Sequence, residues 1–465
     1  MMINMNDGIV FKYWYKVEDK IQKFDPGNFK QINSKDKAVA NAVFEILKIF
    51  KEYKIEMAYF YNKFYVYQEN YWKEIDEDSI EVFLRNCSKK IYVNHLSYHT
   101  SNFYKSLKDT FRDELKIIPN NDDNTILLNC LNVTLEFDDK GVLTPREHKK
   151  EDYLVYKLSY DFNENSKSII WDKFLNEMLP NKNQQLLLHQ YVGYTFTTHL
   201  KLEKALFLYG DGGNGKSVVQ EVITKLLGSK NTASVSLGKL TKDPNTIMLI
   251  EGKLLNYCSE NEKTLDLTMF KTLVSGEPVL GKKLYRDIRN VTKYAKLMFN
   301  LNSLPNITDE KDSYLRRLLI LKFDKTPRVV DPELHFKIIK NELSGIFNRI
   351  LGALRILLKD KGFVFYKELN EILLDYKSEN DVFQQYIDEA FETKFPRGLT
   401  KVSEIHTCYV IFCNKHGEKA LSLPSFGKEL VKRGFKRKIR NDGSYYDLGV
   451  LGGRDFTETN ENIKF

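Results

Sequence analysis

The period of the apolar positions changes twice between residues 205 and 228. Ala205 to Tyr209 is one unbroken apolar run, as in a short buried strand. Val218 to Leu227 repeats its apolar residues at helical spacing and stops at Gly228. The segment between them, GDGGNGKS, has no apolar period. Three further β-like runs follow. LLNYCSENE (254–262) ends in acids, KLMFNLNSLP (296–305) ends in asparagines, and YLRRLLILKF (314–323) turns apolar just after Arg316 and Arg317. Upstream, FYVYQENYWKEI (64–75) predicts strand, turn and strand, and TILLNCLNVTLEFDDKGVLTP (125–145) predicts two strands around an Asp-Lys-Gly turn. Residues 170–200 are mostly helical, with Pro180 as a break, and further helical segments lie at about 333–360 and 366–392.

This punctuation divides the chain into an α+β N-terminal domain (1–165), a helical collar (166–202), an α/β nucleotide core (203–330), a helical segment (331–395), a small basic domain (396–450) and a loose polar tail (451–465). No internal repeat interrupts it. With 465 residues and 42% hydrophobic content, the chain has enough material for several cores. Five scattered cysteines suggest a reducing compartment, hence a cytoplasmic location. The first residues lack a secretory apolar region, and no apolar run approaches the ~20 residues of a membrane span; Arg355 breaks the longest candidate. A net charge of +8 is only a weak pointer to nucleic acid.

The unpatterned segment carries the chemistry. Gly210, Gly215, Lys216 and Ser217 fit the P-loop spacing G-x-x-x-x-G-K-S, between a strand and a helix as that loop requires. Glycines let backbone N–H groups converge on an anion, and the following helix adds a partly positive N-terminus. Gly210, Asp211, Gly212, Gly213, Asn214, Gly215, Lys216, Ser217 and Val218 are therefore the candidate ATP-binding residues, with Lys216 on the β- and γ-phosphates and Ser217 on Mg²⁺.

An ATP-driven machine also needs an acid for water and metal, a polar group near the γ-phosphate and a positive charge for the transition state. The runs ending CSENE, FNLNSLP and beginning RRLLILKF supply these in order. With GDGGNGKS and FKTLVSGEPVLGKKLYRD (270–287), they make the chain resemble superfamily III helicases of the poxvirus and phage/plasmid primase–helicase type. Residues 125–175 resemble the domain that precedes the ATPase there, and residues around 400–450 the C-terminal winged helix. The resemblance implies an AAA+-like P-loop core, a homo-hexameric ring and 3′-to-5′ movement on single-stranded DNA. The owner would be a phage, plasmid or phage-inducible chromosomal island that uses the protein as replication initiator. Host or element-encoded primase and loader proteins are further candidate partners.

By the same resemblance, Glu260 polarises the attacking water and helps hold Mg²⁺ through water. Ser259 stands where relatives often have another acid, and Glu262 is a candidate helper. Asn302 resembles the sensor asparagine. Arg317 matches the arginine finger directed at a neighbour's ATP, with Arg316 as second choice. Lys282, Lys283, Tyr285 and Arg286 fall near the tip of a hairpin that reaches the ring's pore, where cations follow phosphates and an aromatic stacks on a base.

Near the C-terminus, SFGKELVKRGFKRKIRNDGSYYDL (425–448) reads as helix, strand, turn and strand, the end of a winged helix. Lys428, Lys432, Arg433, Lys436, Arg437, Lys438 and Arg440 are its candidate duplex-DNA contacts, at an origin if it reads sequence. His406, Cys408, Cys413 and His416 do not make a metal site, because a helix there sets the two cysteines about 140° apart. The aromatic stretches FKYWYK and NKFYVYQENYW read as core. Residues 1–165 show no primase acid constellation or zinc knuckle. Two alternatives stay open: a DNA-binding ATPase platform that recruits another helicase without unwinding, and a P-loop kinase for a small substrate.

Overall fold

The apolar runs at 205, 254, 296 and 314 assemble side by side. In the computed structural model they form a five-stranded parallel sheet in the order Leu318–Lys322, Ala205–Tyr209, Lys296–Leu301, Leu255–Glu260 and Thr232–Ala233. The structure describes residues 8–22, 34–93, 96–119, 125–138, 141–197, 200–260, 266–282, 288–305, 312–327, 329–379, 381–393, 399–417 and 420–447. Ala205, Leu206, Phe207 and Leu208 are wholly buried, which is why this strand is uniformly apolar rather than alternating: helices cover both faces of a parallel sheet.

In register, Tyr209, Leu301, Glu260 and Lys322 share one row at the carboxyl edge, while Leu318 and Ala205 pair at the other. The GDGGNGKS segment leaves the first edge and enters the helix Lys216–Leu227. Arg316 and Arg317 lie at the opposite edge. Five or six residues at about 3.3 Å each separate the two edges by roughly 15–20 Å.

The N-terminal part has its own core. Helices Gly8–Gln22, Lys35–Glu52, Glu77–Ile91 and Ser101–Glu114 join an antiparallel meander of Met57–Phe60, Lys63–Gln68 and Tyr71–Ile75. Trp14, Phe64, Tyr65 and Trp72 are buried, so both aromatic stretches supply core. The 125–145 segment departs from the expected two strands. It makes three, Ile126–Asn129, Thr134–Phe137 and Leu143–Arg146, because the chain turns at Cys130–Val133 and the Asn132 amide pairs with the Phe162 backbone.

The collar is two helices, Ile169–Met178 and Lys182–Tyr194, parted at Pro180. The helical segment at about 333–360 is made of two helices, Leu334–Asn341 and Leu343–Asp360. Glu342 interrupts it because its buried carboxylate accepts the Ile170 and Trp171 N–H groups at 2.8 Å, capping a helix 171–172 residues earlier. No described helix is long and apolar enough to cross a membrane.

His189 is buried in this collar and accepts the Trp171 indole N–H at 3.0 Å. Burial, and secondarily Arg349, push its pKa down to about 4 against the pull of Asp172. Between pH 6.5 and 4 the unfolded chain binds a proton here that the folded chain refuses, so stability falls as pH drops through that window and is complete above it. The expected loss across the window is on the order of 3 kcal/mol. Thermal midpoints at pH 7.5 and 5 should converge in His189→Gln; an unchanged pH slope would assign the effect to other groups.

The C-terminal unit packs helices Val402–His416 and Leu423–Lys432 against a sheet ordered Leu399–Lys401, Gly443–Asp447, Arg437–Arg440. Its core also takes Phe383, Tyr386 and Ile387 from the helix Val382–Thr393, which sequence pattern groups with the preceding segment. Cys413 is buried in that core.

Candidate nucleotide and nucleic-acid site

The loop's glycines answer to two close approaches. A Cβ on Gly210, which has φ +153°, would lie 2.1 Å from the Phe323 carbonyl oxygen. A Cβ on Gly215, at φ +82°, would meet the Phe174 ring of the collar at 2.9 Å. The loop is thus wedged between the end of the Leu318–Lys322 strand and the collar. Asn214 ties the same contact from its side chain: Nδ2 donates to the Phe323 oxygen at 2.6 Å, while Oδ1 accepts from Lys216 Nζ at 3.0 Å.

Lys216 is buried and its ammonium also donates to the carbonyls of Gly210 and Asp211. Burial lowers its pKa, and Asp211 opposes the shift. Asp211, Gly212, Gly213 and Ser217 are exposed, and Val218 is half-buried. The donor set fits a magnesium-bound triphosphate: a lysine held by oxygen acceptors, a free hydroxyl at the helix start, and backbone with no Cβ in the way.

At the same edge, Glu260 ends its strand opposite Leu301, and its side chain lies outside the described part. Asn302 and Ser303 follow their strand and are exposed. Glu262, Lys283, Tyr285 and Arg286 also lie outside the described residues. Lys282 is exposed at the end of the strand Val279–Lys282, which pairs with Ile288–Val291. That strand pair sits down on Met248, whose sulfur would be 2.7 Å from a Cβ on Gly281, and Arg289, opposite Gly281, ties it to Glu251 at 2.6 Å.

The opposite edge separates the paired arginines. Arg317 is 8% exposed; its guanidinium donates to Glu203 at 2.8 Å, the Ser313 carbonyl at 2.7 Å and the Ser275 hydroxyl at 3.0 Å. Its donors are thus taken up within its own chain. Arg316 is exposed, beside Lys204, whose pKa is lowered by burial and then by Arg316 and Arg317. Lys296 starts its strand at this edge, and burial with Lys201 nearby pushes its pKa down to about 8. The edge is cationic, and of the two arginines Arg316 is exposed there and Arg317 is buried. Sequence pattern missed Glu203 and Ser275, which reach Arg317 only through the fold.

Among the C-terminal cations, Lys428, Lys432, Lys436, Arg437, Lys438 and Arg440 are exposed. Arg433 is half-buried and engaged within the unit. It forms a two-point pair with Asp381 at 2.8 Å, donates to Gln384, and lies over the Phe383 ring. The strand Arg437–Arg440 is exposed along its whole length at the sheet edge.

Comparison with known proteins agrees in outline. Residues 47–180 match the family described as D5 N terminal like, and residues 208–317 match a family of unknown function, DUF5906. The first match begins well upstream of residue 125, and so takes in most of the N-terminal core. The chain is 25% identical over 220 residues to Putative helicase 121R of Invertebrate iridescent virus 3, covering 44% of this chain and 23% of that protein. It therefore spans less than a quarter of that relative's length. Solved structures of the NrS-1 C-terminal region are similar at low level: an A-form apo structure has TM-score 0.48 and 11% identity over 86% of this chain and 97% of that one. A second apo structure has TM-score 0.46 and 10% identity over the same shares. The D5-type segment and the viral relative support a likeness to viral primase–helicase proteins.

Proposed function

We propose that the chain is an ATP-driven DNA helicase of superfamily III type that initiates replication of a mobile genetic element. One observation carries the reading: the phosphate loop, the acid strand and Asn302 share one sheet edge, while a cationic edge bearing exposed Arg316 stands roughly 15–20 Å away. A cation that far from its own loop acts on a neighbour's nucleotide, so hydrolysis requires assembly, and a homo-hexameric ring is the arrangement we infer. Lys216 and the loop N–H groups hold the triphosphate. Glu260 polarises water for attack on the γ-phosphorus, and Asn302 holds it in line. Ser217, with Glu260 through water, would hold Mg²⁺, which would supply positive charge to the phosphate oxygens. Arg316 replaces Arg317 as finger.

Lys282, with Lys283, Tyr285 and Arg286 following it in sequence before the strand Ile288–Val291, tracks single-stranded DNA 3′-to-5′. The C-terminal unit is a winged helix that binds duplex DNA. Substituting Lys436, Lys438 and Arg440 by alanine should weaken duplex binding and reduce the slope of log affinity against log salt by about 2–3, leaving basal ATPase unchanged. Unchanged salt dependence would remove this face as the contact.

Strand displacement on a fork with a 3′ single-stranded tail tests the whole. Wild type should unwind with ATP, and Lys282→Ala/Lys283→Ala should lose unwinding while keeping ATPase. DNA-stimulated ATPase without unwinding would favour a platform that recruits another helicase. ATPase indifferent to DNA would favour a small-molecule kinase.

A further inference from the structure

The helix after the phosphate loop turns Val219, Val222, Ile223 and Leu226 into the core, yet Gln220 is set among them, four residues after Lys216. The strands beneath carry matching anomalies. A buried parallel strand is ordinarily apolar throughout. Here Asn300 interrupts KLMFNL at 5% exposure, and Tyr257 sits in the acid strand at 1%.

These polar groups meet. Gln220 Oε1 accepts from Asn300 Nδ2 at 2.8 Å and from the Ser259 hydroxyl at 3.2 Å. Gln220 Nε2 donates to the Tyr257 carbonyl at 3.2 Å, and the Tyr257 hydroxyl donates to Asn300 Oδ1 at 2.9 Å. Gln220, Tyr257 and Asn300 thus close a circuit joining one helix to two strands.

Its position gives it consequence. Asn300 and Ser259 are register partners, and the next row is Leu301 with Glu260. One amide therefore straddles the two strands a single row short of Glu260 and two residues before Asn302, one helical turn beyond Lys216 and Ser217. Apolar packing alone would let the helix slide over the sheet at small cost. An amide circuit built on the buried Asn300 and Tyr257 does not, because any slide orphans their polar groups at about 1–3 kcal/mol each. Ser259, which stands where a second acid was expected, turns its hydroxyl to this circuit.

We propose that Gln220 is a positioning residue for hydrolysis. It sets the spacing between the triphosphate-holding end of the helix and the strand ends that orient water. The proposal rests on the ATPase reading above. It does not need the ring, DNA or polarity. A misplacement of about 1 Å in reacting geometry lowers rate on the order of 10²-fold, so the circuit's loss should appear in turnover, not in affinity.

The test uses the full chain, with kcat, KM for ATP and thermal midpoint measured together. Gln220→Leu should lower kcat by about 10–100-fold with KM within about threefold, and should lower the midpoint. A triple variant, Gln220→Leu/Asn300→Leu/Tyr257→Phe, replaces every member of the circuit with an apolar group of similar shape. Its midpoint should recover towards wild type while kcat stays low. Gln220→Glu, which keeps the acceptor for Asn300 and Ser259 but loses the donor to Tyr257, should fall between. Turnover that recovers with the midpoint in the triple variant would make the circuit a packing feature only and overturn the proposal, as would wild-type kcat in Gln220→Leu. A wild type that does not hydrolyse ATP would overturn the ATPase reading itself, and this proposal with it.

Discussion

Arg316→Ala should bind a non-hydrolysable ATP analogue like wild type and lose roughly 10³–10⁵ in turnover, the usual worth of a finger supplied by a neighbour. The physical ground is the sheet. Arg316 is exposed at the edge away from its own loop, next to Lys204 and in a cationic setting that attracts phosphate. Mixing Arg316→Ala with Lys216→Ala chains should restore hydrolysis at those interfaces where an intact loop faces an intact arginine. Arg317→Ala should behave differently. It leaves Glu203 and the Ser275 hydroxyl without their guanidinium, so the expected effect is a lower thermal midpoint. Full turnover in Arg316→Ala, with turnover lost in a stably folded Arg317→Ala, would return the role to Arg317.

The second large effect belongs to Lys216. Lys216→Ala should lower ATP turnover by about 10²–10³-fold or more, the usual cost of removing a charge aimed at the developing transition state. Nucleotide binding should weaken as well. The ammonium joins the Gly210 and Asp211 carbonyls and Asn214 Oδ1, so its removal should also disturb the loop's own shape. Isothermal titration with ATP alongside steady-state turnover separates the two. Turnover retained within tenfold would mean that the loop is not the hydrolytic site.

Local chemistry accounts for what was legible in the sequence. The loop reads directly because its demands are backbone demands: Gly210 and Gly215 tolerate no Cβ, and strand and helix periods flank them within a few residues. The core strands and the C-terminal hairpin, with its two-residue Asn441-Asp442 turn, read for the same reason. Period identifies which face of an element is buried. It does not name the partner on that face.

The rest depended on partners distant in sequence. Glu342 looks like an interior helical residue until the collar places two N–H groups against it. Arg433 resembles its basic neighbours until Asp381 meets it. Arg316 and Arg317 are indistinguishable in sequence, yet Glu203 and Ser275 arrive at one of them through strand order alone. The sequence by itself determined where a glycine-rich loop joins a strand to a helix. Tertiary structure alone decided which arginine is exposed and what Gln220 joins, because a buried polar group's role is set by what the fold brings within hydrogen-bond reach.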